Sequence, residues 1–201
     1  MRVLVRRLSA SLCVLFIAGT SGCSGTPPTR FYLLTPLSTT ERPKDVAPAP
    51  GPVVGLRPVR LPEQFDRPQI VTRVGPNRFQ LAEFDQWAAP LSDTFTRVLA
   101  EDLALLIPSD RVAVFPWTRE SAIEYEVAVQ VLQFDGALGG DGSLVADWAI
   151  SRQGGKDGPK TGRFSASGQA GGSYSELVAA QSRLIGALAG EIATALNATR
   201  R

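Results

Sequence analysis

Three kinds of chemistry would each require a particular residue pattern in this chain. The stretch Gly154-Gly155-Lys156-Asp157-Gly158-Pro159-Lys160-Thr161 carries the glycines, lysine and hydroxyl of a phosphate-cradling loop. Such a loop works by aiming consecutive backbone N–H groups at phosphate and then opening a helix. Pro159 stands where the glycine before the lysine belongs, and it removes one of those donors. Arg163 to Ala170 then alternates polar and apolar like a strand, so a hairpin turn is expected here and not a nucleotide site. The second pattern is the carboxylate pair, as in Glu124/Glu126 or Asp66/Asp85, which is the equipment of glycoside hydrolysis. With 19 acidic residues in the chain, such pairs arise by number alone. The third is imidazole, and the chain has no His. That excludes Ser-His-Asp and Cys-His triads, the HExxH zinc site and the ordinary neutral-pH proton shuttle. The expectation is a protein that is not an enzyme and that holds no metal or other cofactor.

The remaining reactive group is a thiol. Arg2, Arg6 and Arg7 precede an apolar run over residues 8–18, and Thr20-Ser21-Gly22-Cys23 follows. At 1.5 Å per residue that run covers only about half of a ~30 Å hydrocarbon core. A positive start, a short apolar run and small residues at its end describe a secretory signal peptide. The ending resembles a bacterial lipoprotein signal, in which the Cys thiol receives diacylglycerol and becomes the mature N-terminus. Ser21 and Gly22 fit that pattern, and Thr20 replaces its usual Leu. The resemblance implies a signal over residues 1–22 and a lipidated tether over 23–29. Diacylglycerol and an amide-linked acyl chain at Cys23 would be the only covalent additions. Ser24, in place of the Asp that favours inner-membrane retention, implies the periplasmic face of the outer membrane.

Loss of three arginines with the signal leaves 18 basic against 19 acidic side chains. No basic stripe is left for nucleic acid. Cys13 departs with the signal, so Cys23 is the one thiol remaining and no intramolecular disulfide is expected.

The elements that would position any site read as an α+β domain over residues 30–201. Its sheet is mixed and largely antiparallel, with two helices packed on one face. Phe31 to Leu34 is a short strand. Residues 36–52 hold five prolines and almost no large apolar group, which predicts a Pro-rich loop. Val53 to Leu61 turns apolar again, and Gln69 to Val74 with Arg78 to Ala82 form a hairpin around Gly75-Pro76-Asn77. Pro90 starts a helix whose face is Leu91, Phe95, Val98, Leu99, Leu103 and Leu106, with Pro108 ending it. Glu101 and Asp102 are expected in solvent. Strands then follow at Val112 to Phe115, Ile123 to Val131, Leu144 to Ile150 and Arg163 to Ala170, three of them alternating apolar with polar, which marks a sheet wet on one face. Ser173 and Glu176 form a capping box for a last helix with a Leu177, Leu184, Ile185, Leu188, Ile192, Leu196 stripe. Gly186 and Gly190 predict close backbone packing, and they would permit a homo-oligomer.

One block stands apart from this pattern. Leu61-Pro62-Glu63-Gln64-Phe65-Asp66-Arg67-Pro68-Gln69-Ile70-Val71-Thr72-Arg73 is followed by Asp85-Gln86-Trp87-Ala88-Ala89-Pro90-Leu91. It resembles the two-part motif of the ABC-type transport auxiliary lipoproteins, the PqiC (YmbA-like) family, LPxYLDRPQIVxR and then a DRWAEPL-like helix opening. Leu61, Pro62, Asp66, Arg67, Pro68, Gln69 and Arg73 fit the first part; Asp85, Trp87 and Pro90 fit the second. Gln86 and Ala89 depart where Arg and Glu are usual. Two readings of these residues stand open: a structural one, with Trp87 packed under the sheet and a local Asp66–Arg67 ion pair, and a partner-contact one.

The resemblance implies a non-catalytic, lipid-anchored accessory subunit of an intermembrane lipid-transport system, docking on an MCE-domain protein. The alternative is a structural envelope lipoprotein that helps assemble an unrelated secretion or surface complex. On either reading the wet sheet face, marked by Asp147 and Arg163, is a candidate partner surface, and reversing either charge is expected to weaken docking.

Overall fold

The computed structural model describes residues 26–38, 51–107, 111–118, 122–155 and 157–199. The signal segment, Cys23, Ser24, Pro108 and most of the Pro-rich loop lie outside the described residues. The elements run β1 (Arg30–Tyr32), β2 (Val53–Leu56), β3 (Gln69–Gly75), β4 (Arg78–Trp87), α1 (Leu91–Leu106), β5 (Val112–Val114), β6 (Ile123–Gly136), β7 (Asp141–Arg152), β8 (Lys160–Gln169) and α2 (Tyr174–Thr199). Four strands, a helix, four strands and a helix is the order the sequence predicts, and the α+β class holds.

The one expected sheet is two. A three-stranded sheet has the order β1-β4-β3, and a five-stranded sheet has the order β5-β2-β6-β7-β8. In the larger sheet β6, β7 and β8 form an antiparallel meander, while β2 lies parallel to both β5 and β6. Its sequence, Val-Val-Gly-Leu, shows no alternation because an inserted strand is covered on both faces. Val54, Gly55 and Leu56 are all buried. Gly55 is needed there: an added Cβ would stand 2.9 Å from Ile123 Cγ2 and 3.1 Å from the Trp117 ring.

Both helices cover the apolar face of the five-stranded sheet, as expected. α2 packs on β6, β7 and β8, and α1 packs against α2 and β5. Leu91, Phe95, Val98, Leu99 and Leu103 are buried on α1, and all six expected stripe residues are buried on α2. Phe95 meets Phe134 of β6 edge to face, with centroids 5.2 Å apart. The capping box of α2 forms: Ser173 Oγ accepts from the Glu176 amide at 3.3 Å and donates to Glu176 Oε2 at 2.8 Å, while the Ser173 amide donates to the same oxygen at 3.0 Å. These bonds hold the Glu176 carboxyl below its ordinary pKa.

Two expectations are corrected by the segment that follows β1. Asp102 is buried, not solvated, and its Oδ1 accepts the Leu37 amide at 2.7 Å. Leu34 is buried beside it, its carbonyl accepts from Arg97 Nη2, and the Thr35 amide donates to Ser182 Oγ of α2. The chain after β1 thus runs as a strap over both helices, covering a flank of α1 that its periodicity assigned to water. The glycine pair of α2 also serves differently. An added Cβ at Gly186 would stand 2.7 Å from Leu37 Cδ2, so that glycine receives a strap side chain and no second backbone. Gly190 faces open space.

Candidate functional site

The two halves of the 61–91 motif meet in space, and most of their residues hold the scaffold. Pro62 O accepts from the Phe65 and Asp66 amides, which closes a turn beneath the partly buried Leu61. The expected local ion pair is absent from that turn. Asp66 Oδ1 instead accepts the Ser92 amide at 3.1 Å, and Arg67 Nε reaches Gln69 Oε1 at 3.4 Å. Helix α1 needs this bond from a distant residue. Its own N-cap is Pro90, which offers no side-chain acceptor, so the first-turn amides seek a partner elsewhere. Pro68 O accepts from the Trp87 amide at 2.7 Å, and Gln69 lies opposite Gln86 in the β3–β4 register. Trp87 is 6% exposed and belongs to the core, as the structural reading expects.

Arg73 and Asp85, the charged motif residues on β3 and β4, each belong to an ion pair whose carboxylate is buried. Arg73 of β3 meets Asp135 of β6 through Nη2–Oδ2 at 2.6 Å and Nε–Oδ1 at 3.2 Å, which joins the two sheets. The Asp135 side chain is 2% exposed, so the guanidinium compensates a carboxylate that has left water. The same guanidinium lies 4.6 Å over the Phe79 ring. Asp85 of β4 takes a two-point contact from Arg30 Nε and Nη2, both at 2.7 Å, and a third bond from the Tyr32 hydroxyl at 2.7 Å. Arg30 hydrogen bonding first, with the Tyr32 bond, lowers the Asp85 carboxyl against the opposing effect of burial. Burial and the neighbouring carboxylate raise the Tyr32 phenol. These contacts explain why β4 continues to Trp87, five residues past the predicted end at Ala82. An Asp on a buried strand face reads as a loop residue until its partners are known.

The carboxylate pairs dissolve into separate tasks. Asp66 caps a helix, Asp85 neutralises Arg30, Glu126 pairs with Arg57 at 2.5 Å, and Glu124 is exposed. Among the described residues no three carboxylates or thiols gather as metal ligands. The phosphate-loop look-alike is the connection from β7 to β8, with Gly154 at φ +70° and a strand after it in place of a helix.

What the structure builds instead is a trough of about 990 Å³ on the wet face of the five-stranded sheet. Ala128, Ala149 and Thr161 contribute to its floor, and Arg57, Arg60 and Arg163 to its lining. Small residues at the outward positions of β6, β7 and β8 make the depression. Asp147 and Arg163, opposite each other in the β7–β8 register, pair at 2.7 and 2.9 Å, so the Asp147 carboxyl is lowered by the Arg163 hydrogen bonds. Phe115 stands at the rim, 49% exposed. Sequence reasoning placed Asp147 and Arg163 on this face but missed Arg57, Arg60 and Phe115. The available signal was the Arg57-Pro58-Val59-Arg60 spacing directly after a buried strand.

Comparison with known proteins agrees with this architecture. A family model described as "ABC-type transport auxiliary lipoprotein component" matches residues 32–193. No curated protein matches the chain. Among solved structures, the fold is similar to that of a Xanthomonas campestris protein of family DUF330, at 14% identity and a TM-score of 0.68, covering 86% of this chain and 100% of that one. It is similar also to an uncharacterized protein at 18% identity and a TM-score of 0.67, covering 85% of this chain and 99% of the other.

Proposed function

Because the chain belongs to the ABC-type transport auxiliary lipoprotein family, we propose that it is a non-catalytic accessory subunit that docks on an MCE-domain protein of an intermembrane lipid-transport system. The observation that carries this reading is the extent of the match, which takes in every strand but part of β1, all of α1 and most of α2. The chemistry present supports it. Asp66, Asp85, Asp135, Glu126 and Asp147 serve in scaffold and surface pairs, and the trough is an open surface and not an enclosed reaction chamber.

The anchor is diacylglycerol plus an acyl chain at Cys23, on the periplasmic face of the outer membrane. One acyl chain holds a protein only marginally, whereas two or more make the attachment stable. The tether over residues 23–29 spans at most roughly 25 Å when fully extended, which keeps β1 close to the headgroups. Phe31 and Leu33, 64% and 49% exposed, follow that tether directly, where an interface can receive their apolar surface. The strap that follows them fixes this end of the chain to both helices, so the anchor positions the whole body.

The test is affinity purification of the tagged lipoprotein from detergent-solubilised envelopes, with mass spectrometry of proteins and lipids. Recovery of an MCE-domain protein is expected. Recovery of secretion or surface-assembly components alone would replace the transport reading with that of a structural envelope lipoprotein.

A further inference from the structure

The trough on the sheet face has an unbalanced set of donors. Its lining holds three guanidinium groups, on Arg57, Arg60 and Arg163, against one carboxylate, Asp147. Arg163 spends Nε and Nη2 on Asp147, and Arg57 spends Nε on Glu126. Each of those two groups keeps N–H donors that no described residue takes up. Arg60 is exposed, and among the described residues its side chain has no hydrogen bond or ion pair.

The spacing of these groups sets the ligand. Arg57 and Arg60 lie on the segment leaving β2, and Arg163 lies on β8, with β6 and β7 between. Three inter-strand steps of about 4.8 Å separate the two ends by roughly 14 Å. An extended peptide rises about 3.3 Å per residue, so acidic side chains four residues apart, which share one face, would reach both ends. The floor between them is Ala128, Ala149 and Thr161, low enough for a backbone to lie across. Of the larger apolar residues in this lining, Val59, Val129 and Trp148 are buried, which leaves Phe115 and Pro58 exposed and no long aliphatic wall to bury an acyl tail.

We infer that this trough binds an extended acidic segment of a partner protein, with carboxylates at i and i+4 engaging Arg163 at one end and Arg57 and Arg60 at the other. The inference rests on the reading of the chain as a docking subunit and names the chemistry of the docked element. It also predicts differently from the expectation that reversing either charge of the Asp147–Arg163 pair weakens docking. Asp147 competes with the ligand for Arg163, so the two substitutions should act in opposite directions.

The experiment is fluorescence anisotropy of a labelled Glu-Ser-Ala-Ser-Glu peptide with the full lipoprotein in detergent micelles. Arg60→Glu and Arg163→Glu should each weaken binding about fivefold or more, the scale of a lost exposed ion pair replaced by repulsion. Asp147→Asn should tighten it about threefold, a gain that misfolding cannot imitate. Arg78→Glu, the same charge change on the other sheet, should leave the affinity within about twofold. Equal weakening by Arg78→Glu, or no tightening by Asp147→Asn, would overturn the site. Preference of the same arginines for glycerol 3-phosphate over the peptide would overturn the peptide assignment and place a lipid headgroup there. An MCE-domain protein recovered with wild-type yield by the Arg60→Glu variant would leave the transport reading standing and remove the trough from it.

Discussion

Asp66 Oδ1 accepts the Ser92 amide at 3.1 Å, across 26 residues of sequence and across the gap between the two halves of the family motif. The bond supplies the N-terminal cap that α1 lacks from its own Pro90. Proline fits the start of a helix because its φ is preset and its missing N–H would be unpaired there anyway. It offers no acceptor, so the motif pairs a proline start with a carboxylate delivered from another turn. Asp66→Ala should cost about 1 kcal/mol, within the 0.5–2 kcal/mol of N-cap deletions. Asp66→Asn, which keeps an acceptor oxygen, should recover most of that. Urea unfolding of the three proteins decides it; equal midpoints would show that the bond contributes nothing.

Asp85 makes folding sensitive to acid. Its carboxyl is lowered in the folded protein by Arg30 and Tyr32, so the folded state holds its proton less readily than the unfolded chain does. A depressed carboxylate contributes stability that is complete above the ordinary carboxylate range near 3.8 and is lost as pH falls through the folded value. Asp85→Asn should therefore be destabilised at pH 7 by about 1–2 kcal/mol, the scale of charge-assisted hydrogen bonds with one well-solvated partner. The gap between variant and wild type should close on acidification below about pH 4. A gap that stays constant from pH 7 to pH 2.5 would assign the loss to packing.

These two carboxylates also mark what sequence reading reaches. Periodicity found both helices, their buried faces and the alternating strands β6 to β8, because there one element buries one face and the pattern records it. It could not separate two sheets from one. β2 is covered on both sides and so carries no alternation, and the Pro-rich loop before it leaves β1 free to join a different sheet. Asp85, Asp102 and Asp135 were legible as acids but not as buried ones, since their partners lie 55, 65 and 62 residues away. The motif was legible as a unit, and the structure gives the unit a reason: one half caps and hydrogen-bonds the other. The trough was half legible, as a wet face bearing Asp147 and Arg163. Its other wall comes from the irregular segment after β2, where no periodicity points a side chain.

Gly162 and Trp148, opposite each other in the β7–β8 register, are a second long-range dependency. The indole lies over the glycine so closely that an added Cβ would stand 2.2 Å from Trp148 Cζ2. From that position its Nε1 donates to Glu191 Oε1 of α2 at 2.7 Å. Gly162→Ala must displace the ring, and with it the bond that ties the sheet to the helix. A loss of about 1–3 kcal/mol is expected, typical of overpacking, with a changed near-UV circular dichroism spectrum. Wild-type stability and spectrum would mean that the ring has a second position of equal energy.

The proposed anchor is the last dependency, because docking from the membrane would require that the thiol of Cys23 carry diacylglycerol. Cys23→Ser removes the nucleophile that receives diacylglycerol and leaves a residue of nearly the same size. Each buried CH₂ of the diacylglycerol and acyl chains contributes about 0.8 kcal/mol, and their sum far exceeds what Phe31 and Leu33 could supply by themselves. The variant should therefore move from the membrane fraction to the soluble periplasm, and its intact mass should show no added lipid. Its folded body should unfold at the wild-type urea midpoint, since Cys23 lies ahead of the strands and helices. Retention in the membrane fraction with an unchanged mass would end the lipoprotein reading of this residue and would shift the burden of attachment to the exposed Phe31 and Leu33.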